Sequence, residues 1–384
     1  MPHIRSITLL QPARIVFGAG SAAESMKSLA QAGHRRALLV TSRSVREQAE
    51  PLATKFTAAG VLVEIVDNIS PEPTAAACEE LRKHARAFSP DLVIAIGGGS
   101  VLDVAKLAAA LLEHNEPIAA FYGTGLVQHR NTALVCVPTT AGTGSEVSPN
   151  ALVYDEASRA KKAVISDALV PDSAIIDPEL TRSLPPALTA TTGIDALAHC
   201  LETYANRAAH PAVDLRSLEG VRLIGANLTR AVADGADLAA RSAIALGSLY
   251  GGLGLGPVNT AGIHALAYPL GGEFHFAHGL SIALLLPHVV RFNAPAMPAR
   301  YTALARALGA TSSASDEALA AECADQLEGL LDACRIPRGL GAHGVPRDAL
   351  PRLANDALQV TRLLKNNPRE ITRDDALAIY AAAF

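Results

Sequence analysis

The chain has no paired cysteines. Its five thiols (Cys78, Cys136, Cys200, Cys323 and Cys334) are odd in number, widely scattered and nowhere spaced C-x-x-C. That pattern speaks against a disulfide framework and predicts reduced core thiols in a cytoplasmic protein. Long apolar runs are missing too. No window reaches about 18 uninterrupted apolar residues, so no membrane span is expected. The opening Met1-Pro2-His3-Ile4-Arg5 lacks the basic-then-apolar design of a signal peptide. Blocks of like charge are absent. With 33 basic and 37 acidic residues dispersed along the chain and a net charge of −4, neither nucleic acid nor an anionic membrane is an expected partner. No low-complexity segment or internal repeat points to disorder or an array.

What remains is material for a large folded core: 384 residues, 49% hydrophobic and 18% charged, enough for two domains. In the first half, short apolar runs alternate with helical patterns. Arg14–Phe17, Ala37–Thr41, Val61–Val66, Leu92–Ile96 and Leu134–Val137 read as strands covered on both faces, with 151–154, 162–165 and 174–176 adding further strands. Residues 21–32, 43–59, 74–87 and 101–113 read as the helices between them, and such alternation predicts a parallel sheet wrapped by helices. Near Pro185-Pro186 the texture changes. Beyond it, 187–206, 212–234, 237–253, 316–334 and 350–364 read as Ala/Leu-rich helices, with Asp237 and Asp316 as N-caps. The expected division is an α/β domain over 1–185 and an all-helical domain over 186–384.

Leu92–Ile96 runs into Gly97-Gly98-Gly99-Ser100, and a helix pattern follows. Glycines allow close approach and positive φ, and a helix N-terminus attracts a diphosphate, with Ser100 as a cap or a phosphate contact. A lone glycine triplet is equally a tight strand-to-helix turn. The next strand, however, ends in a second loop of small and hydroxyl residues, Pro138-Thr139-Thr140-Ala141-Gly142-Thr143-Gly144-Ser145-Glu146. Two such loops at neighbouring strand ends favour a nucleotide crevice.

Asp195 and His199 lie four apart in an apolar helical run, so they share one face. His264 and His278 also sit in apolar surroundings. A single buried His is more often a satisfied core residue. Three of them with a carboxylate call for a cation, and the donor set suits Fe²⁺ or Zn²⁺.

These residues resemble the iron-containing (group III) alcohol dehydrogenase family along essentially the whole chain. The carriers are Phe17-Gly18-Ala19-Gly20, Gly97-Gly98-Gly99-Ser100-x-x-Asp103, the 138–146 loop, Gly193-Ile194-Asp195-Ala196-Leu197-x-His199, His264, His278-Gly279 and Asn366-Asn367-Pro368-Arg369. The resemblance implies a dehydroquinate synthase-like architecture, with a Rossmann-like N-terminal domain, an all-helical C-terminal domain and a catalytic cleft between them. It implies a metal held by Asp195, His199, His264 and His278. It also implies NAD or NADP lined by Gly98, Gly99, Ser100, Asp103, Thr139, Thr140 and Ser145, a small-molecule substrate and a homodimer. Two departures stand out. Tyr268 occupies the place where many members carry a second His, and Ala267-Tyr268-Pro269 is similar to the hydroxyacid–oxoacid transhydrogenase branch. After the second strand, Ser42-Arg43 replaces the Asp common in NAD-preferring members, which leaves NADP open.

The expected chemistry is hydride transfer between NAD(P)(H) and a small alcohol or aldehyde. A bound ion moves the pKa of coordinated water from about 15.7 to about 7, or roughly 12 kcal/mol at about 1.36 kcal/mol per unit, so a strong base is unnecessary. Tyr268 or His275 is the candidate to pass the proton to water. The alternatives are a hydroxyacid–oxoacid transhydrogenase or a maleylacetate reductase-like reduction of an acidic ketone, with Arg291 or Lys162 as the cation. Asn150, Val153 and Leu253 are candidate pocket-wall residues.

Overall fold

The computed structural model describes residues 4–158, 160–311 and 315–384. Contacts divide the chain into one unit of Leu10–Ser183 and another of Leu184–Phe384 together with the segment up to Leu9. The opening segment, grouped with the α/β part in the sequence reading, is tied to the helical unit: the Arg5 guanidinium donates to the Ala208 carbonyl, and His210 Nε2 lies 3.0 Å from the Arg5 carbonyl oxygen.

The first unit is built from strands β1 (Arg14–Phe17), β2 (Arg36–Val40), β3 (Leu62–Val66), β4 (Leu92–Gly97), β5 (Gly123–Thr124), β6 (Ala133–Pro138), β7 (Asn150–Asp155), β8 (Ala160–Ile165) and β9 (Ser173–Ile176). Its helices are α1 (Ser21–Ala30), α2 (Arg46–Ala58), α3 (Ala75–Phe88) and α4 (Gly99–Ala110). Six strands form a sheet in the order β1-β9-β6-β4-β2-β3, and every pair is parallel. β5, β8 and β7 form a smaller second sheet. The central strand β4 is buried at every position. Alternate residues serve opposite faces: Val93 and Ala95 join the core under α3 and α4, while Leu92, Ile94 and Ile96 join the core under α1 and α2. That double burial is why these strands are apolar throughout.

The second unit is helical: α5 (Pro186–Tyr204), α6 (Pro211–Ala233), α7 (Leu238–Leu255), α8 (Gly262–Phe274), α9 (His278–Asn293), α10 (Pro298–Ala307), α11 (Asp316–Ala333), α12 (Leu350–Ala357), α13 (Thr361–Leu364) and α14 (Arg373–Ala382). Asp237 caps α7 by accepting from the Ala240 amide at 2.9 Å. The cap of α11 is Ser315, not Asp316: the Ser315 hydroxyl accepts from Ala318, while Asp316 is already the first helical residue. The helix expected over 350–364 is broken in two. α8 and α9 were not among the helices read; each carries a proline, Pro269 and Pro287, inside an otherwise apolar run. α7 is long and apolar enough to cross a membrane, yet it packs on α5 and α6. Its buried Arg241 donates to Thr189 and to the Leu184 carbonyl, as befits a core helix.

Glycines on α7 let it sit close to α5. A Cβ at Gly251 would meet His199 Cβ at 3.0 Å, and one at Gly254 would meet the Thr203 side chain at 2.8 Å. The chain therefore trades side-chain volume for close support of the helix that carries Asp195 and His199.

Candidate metal centre and dinucleotide loops

α5 projects Asp195, His199 and Glu202 from one face, at spacings of four and three residues. α8 brings His264, and the first turn of α9 brings His278. Asp195, His199, Glu202 and His264 are all at least 95% buried, whereas the His278 side chain is 27% exposed. Asp195 Oδ1 is the hub. It lies 3.4 Å from His264 Nε2, 3.5 Å from His278 Nε2 and 3.8 Å from His199 Nε2, and it is buried without a hydrogen-bond partner. Donors about 2.1 Å from one tetrahedral ion would sit roughly 3.4 Å apart, so the spacing fits a shared cation. Asp195, His199 and His264 alone already form a group able to hold a metal.

Glu202 gives the set its polarity. Its carboxylate accepts from His264 Nδ1 and, at 2.7 Å, from the Ile263 amide. With Nδ1 held there, His264 turns Nε2 inward, 3.0 Å from His199 Nε2. Two converging imidazole nitrogens and an orphaned carboxylate oxygen require positive charge between them. The same demand shows in the titration. Burial would raise the Asp195 pKa, but the imidazoles of His199, His278 and His264 hold it well below the usual carboxylate range. Burial would lower that of His264, but Glu202 and Asp195 raise it to about 9. Glu202 was not read from the sequence, although its spacing seven residues after Asp195 and three after His199 was the available signal.

The Asn366-Asn367 motif braces this centre. Asn366 donates to the Thr260 carbonyl at 2.9 Å, and Asn367 Oδ1 accepts from the Gly262 amide at 3.2 Å while pairing with Asn293. The turn that launches α8, and with it His264, is thus held in place. Tyr268 lies one turn beyond His264. Its ring is 6.1 Å from that of His278, and burial raises the pKa of its phenol, opposed by the Arg362 guanidinium beside it. His275 is exposed and left-handed (φ 55°) at the C-terminus of α8, a helix-ending position three residues before His278.

In the α/β unit, the loops after β2, β4 and β6 come together at the carboxyl ends of three adjacent strands. Thr41 donates to the Ile96 carbonyl at 2.7 Å and the Thr139 amide to that of Gly97 at 2.9 Å, which places Ser42, Gly98 and Thr139 side by side. The three glycines serve by lacking a Cβ, and none adopts positive φ, contrary to the sequence expectation. A Cβ on Gly99 would reach the Thr143 side chain at 2.5 Å, and one on Gly98 would meet Thr140 at 3.3 Å. Gly98 caps α4 without a side-chain bond. Ser100, expected as a cap or a phosphate contact, does not cap α4; its hydroxyl donates to the Pro71 carbonyl.

Asp103 and Ser145 are turned inward. Asp103 accepts from Ser145 Oγ at 2.5 Å and from the Leu152 amide at 2.9 Å, so the pair ties the second loop to α4 and β7. Lys106, fully buried, completes the lock by donating to the carbonyls of Ser145, Ser148 and Asn150. Val153, expected as a pocket wall, belongs to the sheet core. Arg291, expected as a substrate cation, is paired on the surface with Asp325 and Glu328.

Comparison with known proteins agrees with this geometry. Residues 12–178 match the family described as iron-containing alcohol dehydrogenase, and residues 189–384 match the C-terminal Fe-containing alcohol dehydrogenase family. Long-chain-alcohol dehydrogenase 1 of Geobacillus thermodenitrificans is 38% identical, with 97% of each chain covered. Sulfoacetaldehyde reductase of Bilophila wadsworthia is 35% identical over 97% of each. The solved structure of a 1,3-propanediol oxidoreductase superposes with a TM-score of 0.95 at 31% identity, covering 99% of this chain and 100% of that one. The chain belongs to the iron-containing alcohol dehydrogenase family, metal-dependent oxidoreductases that move a hydride between a nicotinamide dinucleotide and an alcohol or aldehyde.

Proposed function

We propose that the chain interconverts a small alcohol and its aldehyde with NAD(P)(H), using Fe²⁺ held by Asp195, His199, His264 and His278, with Zn²⁺ as a competent substitute. The observation that carries this is the buried Asp195 Oδ1, without a hydrogen-bond partner and faced by three imidazole Nε2 atoms. Bound there, the ion supplies a Lewis acid for the substrate oxygen. The protein's own groups do the rest. Glu202 fixes the His264 tautomer, the Asn293–Asn367 pair fixes the α8 turn, and the apolar helices exclude water.

The dinucleotide is assigned to the loops after β2, β4 and β6. Gly98 and Gly99 open the diphosphate site at α4, and Thr139 and Thr140 flank it. Ser42 and exposed Arg43, standing where an acidic residue would repel a 2′-phosphate, leave room for NADP. Tyr268, whose ring neighbours His278, is the better proton-passing candidate than the helix-ending His275. The buried unpaired thiols support a cytoplasmic setting, and a homodimer is the proposed working form.

Metal analysis of the purified chain, followed by a panel of alcohols and aldehydes with both cofactors, tests the reading. Turnover that stops on chelation and returns with Fe²⁺ is expected. Full activity in thoroughly chelated protein rules the assignment out.

A further inference from the structure

The loop after β6 runs down α4 and meets it at successive depths. At the helix start, a Cβ on Gly98 would meet Thr140 at 3.3 Å and one on Gly99 would meet Thr143 at 2.5 Å. Further along the helix, Asp103 accepts from Ser145 Oγ at 2.5 Å. Deeper still is Lys106, fully buried. Its ammonium donates to the carbonyls of Ser145 at 2.9 Å, Ser148 at 2.8 Å and Asn150 at 2.5 Å, with Ser145 Oγ 3.2 Å away. Gly144, left-handed at φ 61°, separates the part of the loop over the helix start from the part held below.

An ammonium has three N–H donors, and three backbone carbonyls take them. Burying that charge is costly, and an apolar side chain of similar volume often serves a core as well or better. Stability alone therefore does not call for a cation at this depth. What the cation does, and a methionine cannot, is draw three carbonyls of one loop to a single point on α4. Without it they would be buried and unpaired, and the segment would have to turn them towards water. The 139–143 arch is the continuous part of the same loop and would shift with it.

We infer that Lys106 is a positioning residue for the dinucleotide: it fixes the height of the 139–143 arch over the Gly98-Gly99 start of α4, and so the width of the diphosphate site. This rests on the assignment of the dinucleotide to those two loops. Fully enclosed, Lys106 touches neither cofactor nor substrate. It acts through the backbone of Ser145, Ser148 and Asn150. Dinucleotide affinity therefore depends on it, and the affinity of the helical unit for its ion does not.

The test titrates NADH and NADPH into wild type, Lys106→Met and Leu107→Ala, followed by nicotinamide fluorescence. Melting temperature and Fe²⁺ affinity are measured on each. Leu107 is the next residue of α4 and lies in the apolar core, so Leu107→Ala puts a packing defect in the same helix and leaves the carbonyl cage whole. Lys106→Met is expected to raise the Kd of the preferred dinucleotide about tenfold or more, the worth of one charge-assisted hydrogen bond, with Fe²⁺ affinity unchanged. Leu107→Ala is expected to melt below wild type and keep the wild-type Kd. Should Lys106→Met fail to fold, Lys106→Gln, which keeps two N–H donors, is read in the same way. A Lys106 variant that binds both dinucleotides as wild type does overturns the inference. So does an equal loss of affinity in Leu107→Ala, since any defect in α4 then suffices. Wild type that holds Fe²⁺ and binds neither dinucleotide overturns the inference together with the cofactor assignment it rests on.

Discussion

At the scale of single residues, charge is placed where nothing but a cation satisfies it. His264→Ala removes one donor from the cluster. The expected result is loss of bound metal and of turnover with dinucleotide binding retained, read by metal analysis and by cofactor fluorescence titration. Glu202→Gln keeps the shape but weakens the acceptor that fixes His264. Outer partners of this kind are typically worth 10–100-fold in metal affinity, so a competition titration should show a loss in that range, and unaltered affinity would discard its orienting role. Glu146, in the second loop, is buried, and burial lifts its pKa from 4.5 to about 7 against the pull of a backbone hydrogen bond and Lys106. An acid raised in this way binds its proton more tightly folded than unfolded. Folding therefore loses stability as pH climbs from 4.5 through 7, by about 3 kcal/mol in all for a shift of this size. Glu146→Gln should abolish that slope, gaining relative to wild type at pH 8 and not at pH 4. Urea unfolding at the two pH values measures it.

At the scale of elements, the centre depends on how closely its helices approach. A Cβ on Gly279 would run into the Thr191 carbonyl, backbone against backbone, where α9 meets α5. Neither side can yield by changing rotamer, so Gly279→Ala should destabilise the protein by about 1–3 kcal/mol. It should also weaken metal binding, because both helices carry donors. A melting curve and a metal titration together check this, and a variant with wild-type metal affinity would show that α9 has slack. The element scale is also where reading the sequence succeeded and failed unevenly. The strands of the main sheet were legible because strands buried on both faces are short and uniformly apolar. α8 and α9 were not: their runs are apolar nearly throughout, without the polar face that marks a surface helix, and each holds an internal proline.

At the scale of the whole molecule, a ligand that binds the folded state and not the unfolded one adds stability by mass action, about 2.7 kcal/mol at a hundredfold excess over Kd. Adding Fe²⁺ to chelated protein should therefore raise the melting temperature, and His264→Ala should lose most of that rise. What the amino-acid order determined by itself was the periodicity of an α/β unit followed by a helical one, and the candidate donors Asp195, His199, His264 and His278, because residue type and local spacing are properties of the chain. What only the tertiary structure decided was which polar groups meet. Glu202 found His264, Asp103 turned to Ser145, Arg291 paired at the surface, and Arg362 was left with a buried N–H beside Tyr268. Those outcomes depend on contacts between residues far apart in sequence, made in a desolvated interior where every polar group must find a partner, and no local pattern encodes them.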